Sequence, residues 1–140
     1  MERREFIKTT CYLCTAISSG LLLETLSSCA SYQVYDAVIE QNKIIVPISL
    51  FNKSNVQIIR AKELDYDIAL CKENDGKYNA VLLRCTHAST PLKYTGAEFV
   101  CPLHGSTFDS EGKVIEGPAA RSLKKMNTTI SNNNITILVN

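Results

Sequence analysis

The chain has 140 residues, of which 45% are apolar and 21% charged, and its formal net charge is +1. That is enough apolar material for one small globular domain and too much for a disordered chain, while the near balance of charge excludes a field that would steer it onto nucleic acid. No internal repeat is visible, and the first 28 residues differ in character from the rest.

MERREFIKTT opens on Arg3-Arg4-Glu5-Phe6-Ile7-Lys8, and an apolar run from Cys11 to Leu23 follows, interrupted by Glu24. A helix of that length spans only about 20 Å, short of a hydrocarbon core of about 30 Å and typical of the apolar region of a signal peptide. The opening resembles the twin-arginine export signal, in which an arginine pair precedes an aromatic, an aliphatic and a lysine. Leu26-Ser27-Ser28-Cys29 resembles a bacterial lipobox, whose cysteine is acylated and becomes the mature N-terminus. These readings predict a signal peptide over 1–28, lipidation at Cys29 and a lipid-anchored tether over 29–42. A retained membrane anchor and a Ser-rich signal end that merely contains a cysteine are the alternatives. Cys11 and Cys14, although spaced as C-x2-C, read as small apolar residues of the leader.

From residue 43 onward short apolar runs alternate with turn signals, and no long helical periodicity occurs. Strands are predicted over Lys43 to Leu50, with Pro47 suggesting an edge, and over Val56 to Ala61, Tyr66 to Cys71 and Tyr78 to Arg84. Asn74-Asp75-Gly76 marks a hairpin between the last two. Cys71 has no intrachain partner once the two ligand-type cysteines downstream are set aside, and it reads as a thiol packed on a strand.

Next comes Cys85-Thr86-His87, then thirteen intervening residues, then Cys101-Pro102-Leu103-His104. The chain has two histidines, and both sit beside cysteines in these two matched loops. A structural zinc site usually draws a close Cys pair from one knuckle, whereas here each loop offers one Cys and one His. If the two thiolates bind one iron and the two imidazoles a second, a [2Fe-2S] rhomb fits between the loops. Pro102 carries no donor and Gly105 permits close approach of the backbone, so backbone N–H groups and the Ser106 hydroxyl are placed to donate to cluster sulfurs. Leu92 to Tyr94 and Glu98 to Val100 read as a hairpin turning at Thr95-Gly96. A turn at Glu111-Gly112, a strand near Ser122 to Met126, and a last pair joining Ile130 with Ile135 to Val139 across Asn132-Asn133-Asn134 complete the chain. The predicted fold is all-β: a small antiparallel sandwich or open barrel from which the region Cys85 to Asp109 projects as a cluster-binding subdomain.

CTHASTPLKYTGAEFVCPLHGSTFD followed by GKVIEGPAARSL resembles a Rieske iron-sulfur domain, a likeness that covers roughly Ile45 to Val139 of a domain placed at 43–140. The resemblance implies that Cys85, His87, Cys101 and His104 are the ligands of one [2Fe-2S] cluster, that Ser106 touches it, and that Gly117-Pro118-Ala119 is a third loop covering it. Many family members of quinol-oxidising complexes carry an extra cysteine in each loop; the matching positions here are Thr90 and Leu103, so that clasp cannot form. Phe108 stands where those proteins have tyrosine. Both departures point toward the ferredoxin-like part of the family. Imidazole ligation makes the oxidised cluster formally neutral, which raises the potential to a family range of about −150 to +300 mV, against about −400 mV for all-Cys plant-type clusters.

The expected function is one-electron transfer in the bacterial cell envelope, in contact with a redox partner protein and with the membrane through the lipid. The alternatives are the small iron-sulfur subunit of an exported oxidoreductase and a zinc-binding module without redox role. An oxygenase is excluded as a self-contained activity, since it needs a further iron held by two histidines and a carboxylate, and both histidines are already used. Arg121, Lys124 and Lys125 read as a solvated strand face, with docking of an acidic partner as the alternative, and Asp109 and Glu116 read as solvated loop charges.

Overall fold

A computed structural model describes residues 32 to 139 of the protein. The predicted leader over 1–28 and Cys29 lie outside the described residues.

Among the described residues twelve strands form three sheets. The largest takes β1 (Val34–Ala37), β3 (Val56–Ala61), β4 (Ile68–Lys72), β5 (Tyr78–Leu82) and β10 (Lys125–Met126), hydrogen-bonded in that order. A second has the order β11 (Thr128–Ser131), β12 (Asn134–Leu138) and β2 (Lys43–Pro47). The third is a small meander of β6 (Lys93–Tyr94), β7 (Phe99–Val100), β8 (Thr107–Phe108) and β9 (Val114–Glu116). Strands β1 and β3 pair in parallel, and the other pairings are antiparallel.

The burial pattern explains why the strands read differently in the sequence. In β2 and β12 buried and accessible residues alternate, Ile44, Val46, Ile135 and Ile137 being fully buried, so each strand has one face on the core. Ile68-Ala69-Leu70-Cys71 of β4 and Tyr78-Asn79-Ala80-Val81 of β5 are buried throughout. The five-stranded sheet is therefore covered on both faces, which is what a near-continuous apolar run means. Ile59, Ile68, Leu70 and Ala80 pack on Ile44, Val46, Ile135 and Ile137 of the three-stranded sheet. From the opposite face Ile58, Ala69, Cys71, Val81 and Leu83 meet Leu92, Phe99, Phe108, Ala119, Leu123, Cys85 and Cys101. The first core is that of a sandwich; the second seats a projecting subdomain on it.

The expected all-β sandwich with a projecting subdomain is what forms, with corrections at its ends. Within the stretch expected as a tether, 29–42, Val34 to Ala37 instead join the sheet edge in register with Ile58 to Ala61. The first predicted strand stops at Pro47, where the chain enters a 3-10 turn over Ile48–Asn52. β2 does lie at a sheet edge, as its proline requires. At the C-terminal hairpin Asn132 and Asn133 have φ of 47° and 64°, the left-handed pair that a two-residue hairpin turn needs.

Candidate metal centre

The two loops that carry the candidate ligands are built alike. In the first, the Cys85 N–H donates to the Thr90 carbonyl at 2.8 Å and the Ser89 N–H returns to the Cys85 carbonyl at 2.9 Å. In the second, the Cys101 N–H donates to the Ser106 carbonyl at 2.8 Å and the Gly105 N–H returns to the Cys101 carbonyl at 3.0 Å. Each loop thus starts on a cysteine and closes on the residue five further on. Each places its fifth residue in the left-handed region, Ser89 at φ 53° and Gly105 at φ 78°. Glycine takes that conformation freely; serine does not. Ser89 is held there by its neighbours: the Tyr66 hydroxyl donates to its carbonyl at 2.7 Å, and the Arg84 guanidinium donates to its hydroxyl at 2.7 Å while lying over the Tyr66 ring. Nothing in the spacing of the sequence signals this clamp, since Tyr66 lies on a distant segment.

The donor set has an inside and an outside. Cys85 and Cys101 are each 1% exposed and unpaired by any disulfide, whereas His87 and His104 lie at the surface with ring centroids 5.0 Å apart. Burial acts to raise the Cys101 thiol, but donation from the backbone of His104 and Leu103 and from the side chains of Cys85 and Thr90 outweighs it, leaving the group below the ordinary thiol range. The Cys85 thiol is therefore within hydrogen-bonding reach of Cys101, whose own surroundings favour thiolate. Among the described residues no three Cys, His, Asp or Glu side chains converge on a point that would hold a single metal ion. Two buried cysteine sulfurs and two surface imidazoles, one of each from either loop, match the donor chemistry of a two-iron cluster held by two Cys and two His.

The third loop lies against both of the others. The Ala119 N–H donates to Ser106 Oγ at 3.0 Å, and the Thr86 hydroxyl donates to the Arg121 carbonyl at 2.6 Å. Pro118 follows a cis peptide bond and is exposed, while Ala119 is buried. Ser106 is fully buried and spends an acceptor site on Ala119, which leaves its hydroxyl proton available to a neighbour. Phe108, fully buried, stands opposite Phe99 in the meander, and Leu103 projects at 57% exposure.

Other predicted residues fall as follows. Cys71 is a buried free thiol whose pKa is pushed up to about 12, by burial first and then by the charges of Glu73 and Asp109. It is held as a neutral packing group, as expected. Asp109 is a partly exposed loop charge with a further role: its carboxylate accepts the Glu111 and Lys113 N–H groups at 2.9 and 2.8 Å and shapes the turn after β8. The Asp-Ser-Glu-Gly sequence carries that signal, since aspartate commonly closes such turns on its own backbone. Glu116 is exposed.

The fold and its paired loops define an all-β domain built to hold a small metal cluster at one tip. The profile of the Rieske [2Fe-2S] domain family matches residues 47–127, more than half of the chain, and the chain belongs to that family. Its cofactor is accordingly one [2Fe-2S] cluster. The iron-sulfur subunit of the cytochrome b6-f complex from Synechococcus sp. (strain CC9605) is 45% identical over 53 residues, 36% of this chain and 30% of that protein. That of Trichodesmium erythraeum (strain IMS101) is 40% identical over 53 residues, again 36% of this chain and 30% of the relative. The matched stretch thus spans less than a third of these curated relatives. Among solved structures, the plasma membrane Rieske protein PetC3 from Synechocystis PCC 6803 is similar, with a TM-score of 0.56, 28% identity and coverage of 66% of this chain and 94% of that one. A chain from the oxygenase–ferredoxin complex of carbazole 1,9a-dioxygenase shares the fold, with a TM-score of 0.53, 16% identity and coverage of 71% and 94%. No helix among the described residues is long and apolar enough to cross a membrane.

Proposed function

We propose that the protein is a one-electron carrier whose cluster is held by Cys85 and Cys101 on one iron and His87 and His104 on the other. The observation that carries this reading is the pairing of two buried cysteines with two surface histidines in loops of the same hydrogen-bond pattern. The cluster supplies a site that takes up and releases one electron. The protein's part is to surround the sulfur side with buried backbone and to keep the imidazole edge at the surface, where a partner can approach. Metal and sulfide analysis of the purified protein is expected to give two irons and two acid-labile sulfides per chain; zinc without sulfide would overturn the assignment.

Ser106 is proposed as a cluster contact through the proton left free by its bond with Ala119. Reduction adds negative charge to the cluster, so a donor aimed at a sulfur stabilises the reduced form more. Ser106→Ala is expected to lower the potential by roughly 40 to 60 mV, the equivalent of about 1 to 1.4 kcal/mol for one electron. An unchanged potential in a redox titration would show that the hydroxyl does not act on the cluster.

The cellular setting is proposed from the leader: export of the folded domain by the twin-arginine route, acylation at Cys29 and residence in the bacterial envelope. The curated relatives are subunits of a complex and PetC3 is a plasma membrane protein, which supports a redox partner at a membrane. A lipid on Cys29 would be separated from β1, which starts at Val34, by a leash of at most about 18 Å. The domain would then ride close to the bilayer rather than on a long stalk. Cys29→Ala is expected to move the protein from the membrane to the soluble envelope fraction or to block leader removal; retention through an uncut N-terminus would favour the anchor alternative.

A further inference from the structure

Beside the first ligand loop lies an open cleft of about 300 Å³ whose lining includes Arg84, Arg121 and Lys124 together with Thr86, Ser89 and Ser122. No carboxylate lines it. Among the described residues the ion pairs join Arg60 to Asp67, Lys77 to Asp75 and Lys113 to Glu111, so neither Arg84 nor Arg121 is neutralised. Arg84 is fixed by its bond to the Ser89 hydroxyl and by the Tyr66 ring beneath it, which spares it the cost of ordering on binding. Arg121 is exposed, and its carbonyl is bound by the Thr86 hydroxyl, so its position follows that of the loop carrying His87. The whole chain has a net charge of only +1, so this concentration of cations is local rather than a sample of a basic surface.

We propose that this cleft is the docking site for an acidic surface of the redox partner protein, which seats Asp or Glu side chains against Arg84 and Arg121 and so brings its own redox centre up to the imidazole edge. The inference rests on the proposed electron-transfer function and names the partner's chemistry. Charge complementarity favours a carboxylate surface, because a guanidinium and a carboxylate form paired charge-assisted hydrogen bonds, and steering by such charges speeds encounter at low salt. The location favours a protein over a free anion: the cleft shares Thr86 with the loop of His87, so whatever docks there stands next to the electron exit.

The test uses the intact holoprotein, reduced and then oxidised in a stopped-flow instrument by ferricyanide or by a hexaammine cobalt(III) cation, with and without poly-L-glutamate. At low salt poly-L-glutamate is expected to change both rates by at least about threefold, and the effect is expected to vanish near 0.5 M salt as the charges are screened. Arg121→Gln combined with Lys124→Gln is expected to slow the ferricyanide reaction and remove the poly-L-glutamate effect while leaving the cluster spectrum unchanged. Rates indifferent to poly-L-glutamate, or unchanged in the double variant, would overturn the docking site. So would sedimentation with phosphatidylglycerol vesicles that the double variant loses while poly-L-glutamate has no effect, for then a lipid headgroup occupies the cleft. A wild-type preparation lacking the [2Fe-2S] spectrum would sink the proposed function and this inference together; an intact cluster with salt-independent rates would sink the inference alone.

Discussion

His104→Ala is expected to yield protein that holds almost no cluster, with a loss of iron retention of at least about 100-fold, more than the loss typical of an outer contact to a metal ligand. The proposed donor set is one buried cysteine pair and one surface histidine pair, and the chain has two histidines, so no further imidazole is at hand to replace the one removed. Binding of such a group is coupled to folding of the loops that hold it. Loss of the cluster should therefore loosen the segment between Cys85 and Asp109. The sandwich should survive, because its own core is made by Ile44, Val46, Ile59, Ile68, Leu70, Ala80, Ile135 and Ile137 and takes nothing from the ligand loops. Visible absorption, iron and sulfide content and far-ultraviolet circular dichroism together check this. The expected pattern is a colourless protein with a largely retained β signal, and Cys71→Ala as the comparison should keep its full cluster. An intact cluster in His104→Ala would remove His104 from the ligand set.

Gly112→Ala is expected to cost about 2 to 5 kcal/mol, a large share of the about 5 to 15 kcal/mol that separates a folded domain from its unfolded chain. Two physical terms add. Gly112 has φ 79°, where a side chain costs about 1 to 2 kcal/mol. A Cβ there would also lie 3.0 Å from Val81 Cγ1 and 3.1 Å from Leu123 Cβ, a crowding that typically costs about 1 to 3 kcal/mol. Neither neighbour can yield easily, since both are buried in the core beneath the subdomain. The residue is also a joint: its N–H donates to the Asp109 carbonyl at 2.9 Å and its carbonyl accepts the Leu123 N–H at 2.8 Å. Gly96→Ala is the control, because Gly96 has φ 97° but nothing within 4 Å of a Cβ, so it bears the backbone strain alone. Urea unfolding of both variants should show the larger loss at Gly112; equal losses would mean that Val81 and Leu123 move aside without cost.

Some of the site was legible because its chemistry is local. Cys85 with His87 and Cys101 with His104 are recognisable from residue type and spacing, and Gly105 announces a left-handed position in the second loop. The equivalent position of the first loop is a serine, and no pattern in the chain marks it. Its conformation is imposed from outside by Tyr66 and Arg84. Asp109 is legible in principle, because the turn it closes is local: its carboxylate accepts from residues two and four positions further on, as an aspartate ahead of Ser-Glu-Gly commonly does. The strand at Val34 to Ala37 escaped because four residues carry too little periodicity to stand out, and their place in the sheet comes from parallel pairing with β3.

The sequence by itself determined the all-β class, the four candidate ligands and the family, because those depend on side-chain chemistry and on alternation within single strands. Tertiary structure decided which cysteines are hidden and which histidines are presented, where Ser106 spends its acceptor, and how Arg84, Arg121 and Lys124 come to line one cleft. Those facts depend on contacts between residues far apart in the chain, such as Thr86 with Arg121 and Ser106 with Ala119. Local propensity carries no information about such contacts until the sheets have paired and the second core has closed.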